Sequence, residues 1–328
     1  MSSSGNQLVY TERAGKMTRD QEQSLRDMAQ KYKWYHTIKL ADGVYTDSYV
    51  PHFKRMWDFN LKCMDGVDFK NKRVLDIGCR DGLFSFEAEK RGANEIIGID
   101  NELSRGASEF LIPLFKSKVK MYELNLYDLT PEKFGVFDII LFLGVLYHLR
   151  TPFLALKKIT DCIPDGGGVL LLESGMLTSK ILEKTELLYC PPPERSPYHD
   201  ATSVTFFNKQ GLCATLHAFN LELVDFKTLE SADNLATADA GLMKIFLRKC
   251  EKLYRIFKRK LGLVIKNSVR IDIDRQFFIF VKLGKNDKLV DKKWKLTQND
   301  IENYWFGTHK IHAKSNEVVR AKLNVKND

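Results

Sequence analysis

Residues 73–82 read Arg-Val-Leu-Asp-Ile-Gly-Cys-Arg-Asp-Gly. Val74, Leu75 and Ile77 give an apolar run of strand length, and Gly78 and Gly82 bracket a tight turn. Leu83 to Arg91 then reads as a helix, with Leu83, Phe84, Phe86 and Ala88 as its apolar surface. Strand, glycine turn and helix in this order make a cradle for a nucleotide-type ligand. The turn lets the ligand approach the backbone, and the helix N-terminus points N–H groups at it. Glu95-Ile-Ile-Gly-Ile99 supplies a second strand that ends at Asp100. An acidic residue about 20 positions after the first glycine suits a ribose diol. Asp76, just before Gly78, argues against a pyrophosphate, which a carboxylate there would face.

The chain beyond alternates strand and helix, the pattern of a doubly wound parallel sheet. Val119 to Glu123 reads as a third strand, with Asn125 and Leu126 just past its end. Phe137 to Leu143 is a fourth, followed by Gly144-Val-Leu-Tyr147-His148-Leu-Arg-Thr-Pro152. Pro152 opens a helix to about Cys162. Val169 to Leu172 is a fifth strand ending at Glu173, and residues 174–205 read as a long irregular lid containing Tyr198 and His199. Asn208 caps a helix through His217, Leu221 to Phe226 is a sixth strand, and Arg275 to Leu283 a seventh. Upstream, Thr18 caps a helix predicted to run to Lys33, and Pro51 to Leu61 reads as a second helix. Tyr35 and His36 between them either line a pocket or pack beneath the main domain.

Asp76-Ile-Gly78-Cys-Arg-Asp-Gly82 resembles motif I of class I S-adenosylmethionine (SAM) methyltransferases, with Arg80 standing at the middle glycine of the acidic-x-Gly-x-Gly-x-Gly pattern. Gly144-Val-Leu-Tyr147-His148 is similar to a signature of the methyltransferases of the tRNA wobble-uridine (5-oxyacetic acid) pathway. Trp34-Tyr-His-Thr-Ile38 followed by Asp42-Gly43 resembles their lead-in, and the likeness spans about residues 30–283. It implies an α/β fold with a Rossmann-like, seven-stranded, mostly parallel sheet whose last strand is antiparallel. It implies SAM as cofactor, held by Asp76, Gly78, Cys79, Gly82, Asp100, Asn125, Leu126 and Gly144. Asp76 would face the cationic amino-acid end. Asn125 would either bond the adenine amine or serve as a turn asparagine. Tyr147 and His148 would stand where donor and acceptor meet, His148 as general base or as a structural residue. Tyr35, His36, Glu173, Tyr198 and His199 would face the acceptor.

The chain has 328 residues, 44% of them hydrophobic, enough for a sizeable core. No apolar run reaches the ~18 residues a membrane span needs. The opening Met1-Ser-Ser-Ser-Gly5 is polar, without a signal-peptide core. The six cysteines include no Cys-x-x-Cys and no zinc spacing, so reduced thiols in a cytoplasmic protein and no bound metal are expected. The net charge of +9 is uneven: residues 244–260 carry +7 and residues 282–328 carry +5, so the rest is slightly acidic. Three parts follow: an N-terminal helical cap (1–70), the methyltransferase-like domain (71–283) with a basic helical insertion (230–270), and a basic extension (284–328). Within the insertion, residues 240–263 read as an amphipathic basic helix for packing, for an anionic membrane surface with peripheral association, or for tRNA.

The expected chemistry is methyl transfer by displacement at a sulfonium, to a hydroxylated small molecule or a glycan. The tRNA-modifying relatives use a carboxylated SAM, held by a basic Arg-Lys-Gly-Pro-type segment. Ile38-Lys-Leu-Ala-Asp-Gly43 stands in that place here. Carboxymethyl transfer to a tRNA wobble uridine is therefore the alternative, and a SAM-binding subunit without chemistry of its own is a second.

Overall fold

The computed structural model describes residues 17–178, 184–198, 200–229 and 273–283. The basic segment at 240–263 and the extension from 284 onward lie outside the described residues. The centre is a seven-stranded sheet: Arg73–Ile77 (β1), Glu95–Asp100 (β2), Lys120–Glu123 (β3), Ile139–Leu143 (β4), Val169–Leu177 (β5), Leu221–Thr228 (β6) and Ile273–Lys282 (β7). The spatial order is β6-β7-β5-β4-β1-β2-β3. β7 runs antiparallel to both neighbours, and the strands from β5 to β3 are parallel. All five residues of β4 are buried, as a strand covered on both faces requires.

The helices used below are Arg19–Ala29 (α1), Lys54–Cys63 (α2), Leu83–Lys90 (α3), Pro152–Asp161 (α4) and Lys209–His217 (α5). On one face, α2 and α3 bury Trp57, Phe59, Phe84 and Ala88 against Val74, Leu141, Leu171 and Phe277 of the sheet. On the other, α4 and α5 bury Leu156, Ile159, Leu212 and Leu216 against Leu75, Ile140, Leu170 and Phe278. Each large apolar side chain so buried is worth roughly 1.5–3 kcal/mol. The pairing also fixes both strand ends over which the ligand loops hang.

Several boundaries depart from the sequence expectation; β4 begins only at Ile139, β6 runs on to Thr228 and β7 begins at Ile273. β5 does not stop at Glu173 but continues to Leu177, because β7 pairs with it from Val281↔Val169 through Ile273↔Leu177. The buried polar pair Glu173 and Ser174 disguises the continuing strand. The lid is not wholly irregular, since Leu188–Tyr189 pairs with Phe206–Phe207. α1 has the expected Thr18 capping box but ends at Ala29, where the Trp34 indole donates to the Ala29 carbonyl (2.8 Å). α2 is preceded by a tight turn at Pro51–Phe53, and its regular helix runs to Cys63.

Candidate functional site

A cavity of about 680 Å³ opens at the carboxyl ends of β1, β2 and β4, within the range of small-ligand sites. Its floor begins at the β1–α3 turn. Gly78 has φ +79°, and a Cβ there would come within 2.4 Å of the Val145 side chain. Arg80 takes a left-handed φ of +49°, the conformation a glycine would adopt freely. Its guanidinium pairs with Glu102 (2.7 Å), which steadies the turn.

Asp100 closes β2 and lines the cavity. One carboxylate oxygen accepts from the Arg80 N–H (3.0 Å) and the other from the Glu102 N–H (2.9 Å). Desolvation raises its pKa, partly offset by these two bonds. Each oxygen keeps a lone pair for a ligand hydroxyl. Asn125, Leu126 and Tyr127 form the wall beside it. The Asn125 side-chain Oδ1 accepts from the Tyr127 N–H (3.0 Å), so part of its amide is used as a turn cap.

Three expected cofactor residues stand behind this wall rather than on it. Asp76 is buried and accepts a bond from the Ser85 hydroxyl (2.6 Å). Burial pushes its carboxyl up to about 7, against that bond. Cys79 is buried with its sulfur against Gly98, where a Cβ would approach it to 2.8 Å. Gly82, at φ +83°, heads α3 beneath Met121 and Phe86. All three shape the turn, and none is among the cavity-lining residues.

The opposite end gathers Gly144, Tyr147, His148 and Glu173. The β4 strand end and the turn after it place His148 at the rim. Its Nδ1 lies 3.0 Å from the Thr202 carbonyl. A carbonyl only accepts, so Nδ1 carries the hydrogen and Nε2 is left as the proton acceptor. Desolvation lowers the His148 pKa, opposed by the Thr202 bond and by Asp200. The neutral ring therefore persists to lower pH than for an ordinary histidine. The lid is tied to this point, since the Tyr147 carbonyl accepts from Val204 (2.8 Å) and Thr205 (3.0 Å).

Behind Tyr147 lies an ion pair the sequence reading missed. Arg275 of β7 donates to both oxygens of Glu173 of β5, at 2.5 and 2.6 Å. Its guanidinium lies over the Tyr147 ring at 4.6 Å. Burial alone would lower the Arg275 pKa, but Glu173 more than offsets it and the net shift is upward. The available signal was a charge at the head of the apolar run Gln276-Phe-Phe-Ile-Phe280 matched by one at the end of an apolar strand. Tyr198 packs edge-on against Tyr147 (5.5 Å), and burial pushes its phenol up to about 12. His199 lies outside the described residues.

The lead-in segment roofs the cleft. Tyr35 and His36 line it, and both backbone N–H groups donate to Asp81 Oδ2, at 2.5 and 2.7 Å. Asp81 thus clamps the roof to the glycine turn, a role the sequence reading did not assign. Trp57 and Asn60 of α2 also line the cavity, and the sequence reading assigned neither to it. Among the described residues, no three His, Cys, Asp or Glu side chains are grouped to hold a metal ion. Nor is any described helix long and apolar enough to cross a membrane.

Residues 52–225 match the sequence profile of a methyltransferase domain family. A tRNA U34 carboxymethyltransferase of Helicobacter pylori (strain Shi470) is 30% identical over 178 residues, covering 51% of this chain and 65% of that one. The enzyme of the same name from Pseudomonas paraeruginosa is 34% identical over 111 residues, 32% of this chain and 33% of that one. The chain thus spans between a third and about two thirds of the length of these curated relatives. Among solved structures, the N-terminal domain of EvdMO1 with SAH bound aligns at 15% identity and a TM-score of 0.49, over 82% of this chain and 98% of that one.

Proposed function

The chain belongs to the methyltransferase domain family, and from that premise we propose that it is an enzyme moving a methyl group from SAM to a hydroxyl of a small acceptor. Its cofactor is SAM, and the residues present fit that molecule. Asp100 offers two free lone pairs to a ribose diol, Gly78 lines the cavity in a left-handed turn that Val145 packs against, and Asn125 to Tyr127 flank the base. When bound, SAM supplies a sulfonium methyl already activated for displacement, so this chain's own task is alignment.

The observation that carries the reading is the orientation of His148. With Nδ1–H given to Thr202, Nε2 is free to take a proton from an acceptor hydroxyl as the new carbon–oxygen bond forms. The Tyr147 ring packs against the imidazole, tilted by 41° with centroids 4.0 Å apart. Tyr147 is itself held by Arg275 and Tyr198. This chain of contacts fixes the base against the carboxyl end of β4.

A second reading has a specific support: the relatives are tRNA U34 carboxymethyltransferases, which makes carboxymethyl transfer to a tRNA uridine the competitor. A carboxylated donor needs an unspent cation near the transferred group. Among the described residues Arg275 is the buried cation at that end, and its charge is already paired with the Glu173 carboxylate through Nε and Nη2. Charge balance therefore favours the plain methyl donor. Incubation with methyl-tritiated SAM and a cell extract, followed by separation of RNA from small molecules, tests the choice. Label in the small-molecule fraction, lost in His148→Ala, is expected; label confined to tRNA would overturn the acceptor assignment.

A further inference from the structure

One wall of the cleft holds polar atoms that nothing in the protein satisfies. His36 is 4% exposed, Trp57 2% and Asn60 1%. The His36 Nδ1, the Trp57 indole nitrogen and the Asn60 amide oxygen have no hydrogen-bond partner. The nearest carboxylate to His36 Nδ1, Asp81 Oδ2, is 3.6 Å away. All three residues line the cavity, and the His36 and Trp57 rings are 5.1 Å apart. A buried polar atom without a partner costs about 1–3 kcal/mol, and native proteins keep few of them. Three on one cavity wall, on two different segments, mark a place built for a ligand's polar groups.

Their chemistry narrows the ligand. The indole N–H only donates. The Asn60 amide oxygen only accepts. The imidazole does either. The ligand must therefore present an acceptor and a donor close together. Position narrows it further. His36 packs on Phe84 at 5.7 Å, in the first turn of α3 just past the glycine turn. The same cleft holds Asn125 and His148. Asp76, which the sequence would assign to a cationic group here, is spent on Ser85 behind the wall.

We propose that His36, Trp57 and Asn60 form the subsite for the amino-acid end of SAM. The indole and imidazole donate to its α-carboxylate, and the Asn60 carbonyl accepts from its α-ammonium. The N-terminal cap is then part of the cofactor site, not only its roof. Asp81, holding Tyr35 and His36 by their backbones, positions one half of it. The inference rests on the SAM reading of the cleft.

Calorimetric titration tests it with two probes: S-adenosylhomocysteine, which carries the amino-acid end, and 5′-methylthioadenosine, which lacks it. In Asn60→Leu and in Trp57→Phe, homocysteine-probe affinity falls on the order of 10-fold or more, the effect of losing one buried hydrogen bond to a charged group. Methylthioadenosine affinity stays within about 2-fold in both, which also shows that the variants are folded. Equal losses for the two probes, or no loss for either, in protein whose wild type binds both, would overturn the subsite. A wild type that binds neither probe overturns the cofactor reading itself.

Discussion

Replacing Arg275 by methionine would strand Glu173. The Glu173 side chain is 0% exposed, and its two oxygens are held by one guanidinium at 2.5 and 2.6 Å. Methionine keeps most of the stem's volume but removes the charge, so the effect isolates electrostatics from packing. Removing one partner of such a pair costs about 3–5 kcal/mol, because a buried carboxylate is left uncompensated. Replacing both by apolar residues of similar size is often near neutral. Arg275→Met should therefore lower stability by ~3–5 kcal/mol, while Glu173→Met with Arg275→Met recovers most of it. Urea denaturation of the wild type, both single variants and the double variant gives the cycle, with equal slopes required for the comparison. A loss under ~1 kcal/mol, or a double variant no better than the single, would refute the buried-pair argument.

Gly78→Val should abolish SAM binding in calorimetry, because its Cβ would sit 2.4 Å from Val145 and its φ of +79° disfavours a branched side chain. His148→Ala should cut turnover by roughly 10²–10⁴-fold with cofactor affinity near wild type. In the wild type, kcat/KM should rise with pH through a single step below the usual histidine value, since desolvation lowers the His148 pKa; a step above it would contradict the assignment. Asp76→Asn should stabilise the free protein increasingly as pH rises. Its folded pKa, about 7, exceeds the ordinary 3.8, so the carboxyl's contribution is present below the unfolded value and is lost as pH climbs through about 7. At ~1.4 kcal/mol per pH unit the gain approaches a few kcal/mol by pH 8 in thermal melts.

The centre of the parallel core was readable because β1 and β4 are short apolar runs closed by glycines, Val74–Ile77 before Gly78 and Ile139–Leu143 before Gly144. That pattern has few alternatives in an alternating strand-helix chain. The glycine turn and the Tyr147-His148 corner were legible for the same reason, since a strand end fixes their place. What was not legible depends on which way a side chain turns. Asp76 and Asp100 look alike in sequence, yet one faces Ser85 and the other the cavity. Asp81 looks like an ordinary turn residue until the lead-in folds onto it across 45 positions. Trp57 fits the apolar stripe of α2, and only its unpaired indole nitrogen separates it from plain core. The Glu173–Arg275 pair joins residues 102 apart through strand register, which no local pattern encodes.

The most direct test of the cofactor site is calorimetric titration of the wild-type chain with SAM alone. One saturable site per chain is expected, abolished in Gly78→Val and weakened in Asp100→Ala by ~1–3 kcal/mol. Absence of binding in the folded wild type, or unchanged affinity in a folded Gly78→Val protein, would contradict the placement of SAM on the β1–α3 turn.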